Sequence, residues 1–245
     1  MLLPSSNRLF VTEDPNQATI RQSATNRYSN IHPGLTFAPG RMGVLRKNYR
    51  TTRNLFLAAE SYLSKNPDIE VSTSEQEFAT EGIKPHLFKV EQASAETQSL
   101  KIASFIDDAA SSLMLPVGHA AVFAYSHAEC SELADRLSEL GLPAQFQSSR
   151  DFEPSRNKVK VMPLHAAKGL EFPIVAVAVG TGSYPQTPEE APDDVLRDFY
   201  EIQRKLLFVA MTRSMRALLV SIPESSDDPL FYGFDHDYWE TVGLD

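Results

Sequence analysis

Two short stretches limit what this chain can fold into more than any other feature: Ala120–Tyr125 (AAVFAY) and Ile174–Val179 (IVAVAV). Both are apolar on alternate and intervening positions alike, so neither face of the pleat suits water. A strand of that kind is covered on both sides, as in a parallel sheet enclosed by helices. Further β-rich runs occur at Arg8–Val11, His86–Val90, Lys158–Met162 and Ala217–Ile222. Between these runs, apolar residues recur with helical spacing at Arg53–Ser64, Ala95–Ser112, His127–Leu140 and Val195–Arg213. Gly141-Leu142-Pro143 predicts the stop of the third helix. Strands alternating with helices of this length predict an α/β fold, a mostly parallel sheet with helices on both faces.

The 245 residues leave room for one large domain or two small ones. Asn30–Gly43, with two prolines and three glycines, reads as a linker, and Thr181–Asp194 as a long surface loop. The acidic tail from Glu224 carries Phe231, Tyr232, Phe234, Tyr238 and Trp239, so it is expected to dock on the body of the protein. The first strand candidate begins almost at residue 1, too early for a sheet of its own before residue 30. The expectation is a chain without its upstream half. A single cysteine, Cys130, excludes an intrachain disulfide and fits a reduced, cytoplasmic setting. No apolar run approaches the ~20 residues that span a bilayer, and MLLPSSNRLF lacks a signal-peptide pattern. The formal net charge is −9, yet residues 1–53 hold eight basic against two acidic side chains. Residues 185–245 reverse this, with 13 acidic against five basic. A basic end on an acidic protein reads either as a phosphate-facing surface or as a solvated face.

Four clusters hold residue types with chemical uses. Glu13-Asp14-Pro15-Asn16-Gln17 follows a strand candidate, where open α/β sheets take ligands, and equally suits a polar turn. Asn48-Tyr49-Arg50 leads into a helix with Thr51 and Thr52 as candidate caps. There the ring could lie on a base and the guanidinium on a phosphate, although Tyr-Arg neighbours are common on helix faces. Leu164–Phe172 (LHAAKGLEF) crowds His165, Lys168 and Glu171 among small residues. Its Ala166, Ala167 and Gly169 predict close approach of the backbone to something, with a charged turn as the alternative. Arg213 stands at the end of the helix EIQRKLLFVAMTR, whose Leu206, Leu207, Val209 and Ala210 form the buried face. It reads either as a cation on the helix dipole or as an arginine aimed at a phosphate across a cleft.

In this order the clusters resemble the later motifs of superfamily 1 helicases of the UvrD/Rep/PcrA group. Glu13–Gln17 resembles that family's Gly-Asp-x-x-Gln, and Leu45–Thr51 (LRKNYRT) its Leu-x-x-Asn-Tyr-Arg-Ser. Leu164–Val175 is similar to LHAAKGLEFP-V-V, and Arg204–Arg213 (RKLLFVAMTR) to R-x-L-x-Y-V-A-x-T-R, with Phe208 in place of Tyr. The resemblance implies that Gln17 senses the γ-phosphate, Tyr49 stacks on adenine and Arg50 contacts the γ-phosphate. It further implies that Glu171, beside Gly169, holds the ribose and that Arg213 is the finger on the transferred phosphoryl group. His165 and Lys168 would then lie towards single-stranded DNA. It also implies ATP with Mg²⁺ between two RecA-like domains: a remnant of the first with the linker at 1–35, and the second at 36–245.

Departures from the family qualify these expectations. No Gly-Lys pair occurs, so the phosphate-wrapping loop Gly-x-x-x-x-Gly-Lys-Ser/Thr is absent. The Asp-Glu pair that holds Mg²⁺ and the catalytic base would lie upstream, so no metal ligand is assigned. By itself the chain is expected not to hydrolyse ATP, and to need an N-terminal RecA-like domain in cis or in trans. Ala18-Thr19-Ile20 replaces the family's base-stacking segment after the glutamine. Two other readings remain: a non-enzymatic scaffold derived from a helicase, and an unrelated α/β enzyme using Gly180-Thr181-Gly182-Ser183 as an anion loop.

Overall fold

The computed structural model describes residues 47–65, 77–90, 94–148, 157–181 and 191–244. The Arg8–Val11 strand, the Glu13–Gln17 cluster and the Asn30–Gly43 linker lie outside the described residues. In chain order the elements are β1 (Lys47–Asn48), α1 (Arg53–Ser64), β2 (Glu77–Phe78), β3 (His86–Val90), α2 (Ala95–Leu113), β4 (Ala120–Ala124) and α3 (His127–Glu139). There follow β5 (Ala144–Phe146), β6 (Val159–Pro163), β7 (Phe172–Ala178), α4 (Asp193–Met211), β8 (Ser214–Pro223) and β9 (Glu240–Val242). Seven strands form one sheet in the order β5-β6-β4-β7-β8-β3-β9, and β1 pairs with β2 apart from it. Every described pairing is parallel.

The pleat sorts the strands' apolar residues into two cores. Ala121, Phe123, Val175, Val177, Leu218 and Val220 face Leu55, Ala59, Leu63, Leu207 and Phe208, so α1 and α4 cover one side. Their chain neighbours Ala120, Val122, Ile174, Ala176, Ala217 and Leu219 face Ile102, Ile106, Cys130 and Leu137, so α2 and α3 cover the other. The doubly apolar β4 and β7 sit centrally in the sheet, as that arrangement demands.

Helix termini follow local chemistry. Ser126 and Glu129 make a reciprocal capping box at the start of α3. At its end the amides of Gly141 and Leu142 return to Ser138 O and Leu137 O, the expected stop. α4 begins at Asp193, two residues before the predicted Val195, because Asp193 and Asp194 favour a helix N-terminus. The predicted loop over 181–194 therefore ends before Asp193. The tail docks by Leu230, Phe231 and Trp239, with Phe234 edge-on to Trp239, while Tyr232 and Tyr238 stay outside.

Candidate functional site

α1 starts without the threonine cap expected of it. Thr52 occupies the cap position but its hydroxyl makes no capping bond. The segment 79–82 caps the helix instead: Arg53 N donates to Thr80 O and Asn54 N to Glu81 O, both at 3.0 Å. Asn54 Nδ2 adds a bond to Gly82 O at 2.9 Å. One step upstream, Asn48 Oδ1 accepts from the amides of Arg50 (2.9 Å) and Thr51 (3.2 Å), which turns the chain and projects Arg50. Tyr49, beside that turn, is 70% exposed.

Arg50 Nε meets Glu171 Oε1 at 2.7 Å, although the two residues come from segments far apart in sequence. Arg213 completes the group. Phe172 N donates to Arg213 O at 3.0 Å, so β7 and β8 begin side by side, and Arg213 Nη1 reaches Leu170 O at 3.5 Å. The guanidinium is nearly buried: Nε donates to Val209 O at 2.9 Å and Nη2 to Thr212 Oγ1 at 3.0 Å. It therefore sits on the last carbonyls of α4, the dipole-completing geometry, at the rim that carries Arg50 and Glu171. Two guanidinium groups, a carboxylate and an exposed ring at one rim suit the phosphates, ribose and base of a nucleotide. Among the described residues no group of three or more His, Cys, Asp or Glu could hold a metal ion.

His165 belongs to another place. It follows β6 in the 3-10 turn Leu164–Ala167, at the carboxyl end of the sheet, and its ring lies 5.8 Å from that of His127. The Leu164–Glu171 connection thus runs from the carboxyl end of β6 to the amino end of β7, so its charged residues do not form one cluster. Ala166 and Ala167 are small because they pack into the core. Gly169 corrects the expectation of close approach, since a Cβ there would meet nothing within 4 Å. It is needed for its φ of +85°, which turns the chain after the exposed Lys168. Gln17 lies outside the described residues.

Arg204, which sequence reasoning passed over, is the buried cation that seats the tail. It donates to Tyr62 O (3.2 Å), Tyr232 O (3.0 Å) and Pro229 O, and lies over the Tyr62 ring. The available signal was a cation three and four residues before Leu207 and Phe208 on the apolar face of α4. Gly180, put forward as part of an anion loop, instead packs against Val90 and Gln98, where a Cβ would come within 2.7 Å of Val90 Cγ2. Thr181 Oγ1 donates to Gln98 Oε1 at 3.2 Å, and Gln98 Nε2 to Ser221 Oγ at 2.6 Å. That network ties α2 to the ends of β7 and β8.

Residues 127–225 match the model of the UvrD-like helicase C-terminal domain. An 83-residue stretch is 36% identical to an ATP-dependent DNA helicase PcrA from Leuconostoc citreum, covering 34% of this chain and 10% of that protein. A stretch of 99 residues is 34% identical to DNA helicase II from Haemophilus influenzae, covering 40% and 12%. The matched stretches thus span about a tenth of either relative's length. The crystal structure of the C-terminal domain of a possible DNA helicase from Lactobacillus plantarum WCFS1 superposes with a TM-score of 0.55 at 21% identity. The match covers 79% of this chain and 98% of that one, and it shows a shared fold. No helix among the described residues is long and apolar enough to cross a membrane.

Proposed function

We propose that this chain, built over residues 127–225 on a UvrD-like helicase C-terminal domain, is the second RecA-like half of an ATP-dependent DNA helicase. The observation that carries the reading is the rim where Arg50 meets Glu171 beside Arg213. Three separated segments supply it: the turn before α1 brings Arg50, the start of β7 Glu171 and the end of α4 Arg213. Tyr49 stacks on the adenine, Glu171 holds the ribose, and Arg50 and Arg213 take the terminal phosphates when a first domain closes against this one. Gln17, within the 1–35 remnant and linker, senses the same phosphate, and 36–245 form the second domain. His165 and Lys168 face single-stranded DNA. Magnesium neutralises phosphate charge when ATP is bound, and its ligands belong to the partner domain. This chain's part is to position the nucleotide, exclude water and place a guanidinium on the developing charge, an effect worth ~10³–10⁵ in rate where an arginine finger is used.

The test is ATP hydrolysis with and without single-stranded DNA, by this chain alone and by this chain together with a first RecA-like domain, in cis or in trans. The chain alone is expected to show no turnover, and turnover there refutes the half-site reading. In the complete two-domain enzyme Arg213→Ala is expected to abolish turnover while nucleotide binding survives; lost binding with intact chemistry refutes its role. The net charge of −9 favours a second reading, a non-enzymatic scaffold, because unaided DNA affinity rests on phosphate neutralisation. Strong, salt-dependent binding of single strands by this chain counts against the scaffold.

A further inference from the structure

At the other end of the sheet from the Arg50 rim, three rings stand in a row. Phe146 closes β5, His127 opens α3 just after β4, and His165 follows β6. These strands are neighbours in the order β5-β6-β4, so three separate segments deliver planar groups to adjacent carboxyl ends. The carboxyl ends of strands are where open α/β sheets take their ligands. Ring centroids are 5.5 Å apart from Phe146 to His127 and 5.8 Å from His127 to His165.

We propose that Phe146, His127 and His165 form a base-stacking surface for single-stranded DNA. The proposal rests on the reading of His165 as facing that strand, and it adds two residues and a mode of contact. Phe146 is half-buried against the second core and anchors the row, whereas both histidines are exposed. Core packing accounts for the phenylalanine but not for two exposed imidazoles, one tilted 54° to its ring and the next tilted 37° to the first. Glu129, in the first turn of α3, is held by the capping box, accepting from Ser126 N at 2.9 Å. Lys168, exposed three residues beyond His165, supplies a cation for that chain. Stacking on such a surface tolerates any base, because every base has a π-face.

The experiment measures binding of the whole 245-residue chain to a labelled oligo-dT of about 16 nucleotides and to an abasic strand of equal length. Thermal unfolding is recorded for each variant. His127→Ala and Phe146→Leu are each expected to weaken oligo-dT binding about tenfold, and to leave abasic binding and melting unchanged. Should Phe146→Leu fail to fold, the exposed His127→Ala decides between the outcomes. Equal weakening on both strands overturns the stack and leaves a charge or positioning effect. Oligo-dT binding that Lys168→Ala weakens and the ring variants do not also overturns it, while the DNA-facing reading stands. No oligo-dT binding by the wild-type chain overturns both.

Discussion

Gly82 is the hinge pin of the structure that presents Arg50, and replacing it is a stringent test of how that structure is held. Its φ is +75°, in the left-handed region, and an added Cβ would lie 2.3 Å from both Cβ and Oγ1 of Thr52 and 2.6 Å from Cγ2. Those are atoms of a short side chain buried at the base of α1, so they cannot swing aside. Left-handed backbone costs an L-residue about 1–2 kcal/mol, and forcing a methyl into filled space about 1–3 kcal/mol. Gly82→Ala is therefore expected to destabilise the chain by about 2–5 kcal/mol, a drop in Tm of roughly 5–15 °C for a protein of this size. The damage starts at the 79–82 segment, whose carbonyls hold the first amides of α1. Thermal and urea unfolding of Gly82→Ala, Thr52→Gly and the double variant form the assay. Removing the Thr52 side chain relieves the clash, so the double variant is expected to be more stable than the two single losses added together. Melting within about 2 °C of wild type for Gly82→Ala, or simple additivity in the double variant, refutes the reasoning.

Other expectations follow from buried groups. Arg204→Met deprives the Tyr62, Pro229 and Tyr232 carbonyls of their donor and is expected to cost about 2–5 kcal/mol. Trp239, the sole tryptophan, lies in the docked tail, so its fluorescence reports the loosening; an unchanged urea midpoint refutes the assignment. Burial pushes the Cys130 thiol up to about 12. At pH 8 iodoacetamide is expected to label the native chain on the order of a thousandfold more slowly than the urea-unfolded chain, and equal rates refute it. Burial also holds the His86 imidazole below its ordinary value, with Lys101 adding to the effect and Glu240 opposing it. The unfolded chain then takes the proton first, so stability is expected to fall as pH drops through about 6.5. His86→Gln is expected to flatten that slope, and an unchanged slope assigns it to other groups.

Periodicity made the main elements legible because burial on one or both faces writes itself into the order of residues. The bounds of α1 fall where the pattern put them, and the five β-rich runs among the described residues, 86–90 to 217–222, are strands within three residues at either end. The short edge strands Ala144–Phe146 and Glu240–Val242 were not legible, since three residues carry no period. Nor was the cap of α1: Thr51-Thr52 looks like a local solution, whereas the amides are satisfied by a loop about 30 residues away. The resemblance supplied roles for Arg50, Glu171 and Arg213 but not the ion pair of Arg50 with Glu171, which joins the turn before α1 to the start of β7. Gly169 misled because a glycine answers two different needs, close approach and positive φ, and the letter does not distinguish them.

The eight residues from Leu164 to Glu171 are held at both ends. Their first part is clamped, with Leu164, Ala166 and Ala167 buried beneath α4. Their last residue is the carboxylate paired with Arg50. The segment therefore crosses from the carboxyl ends of the strands to their amino ends, with a positive-φ turn at Gly169. His165 at one end of the sheet and Glu171 at the other are six residues apart in the chain and joined by this one stretch of backbone.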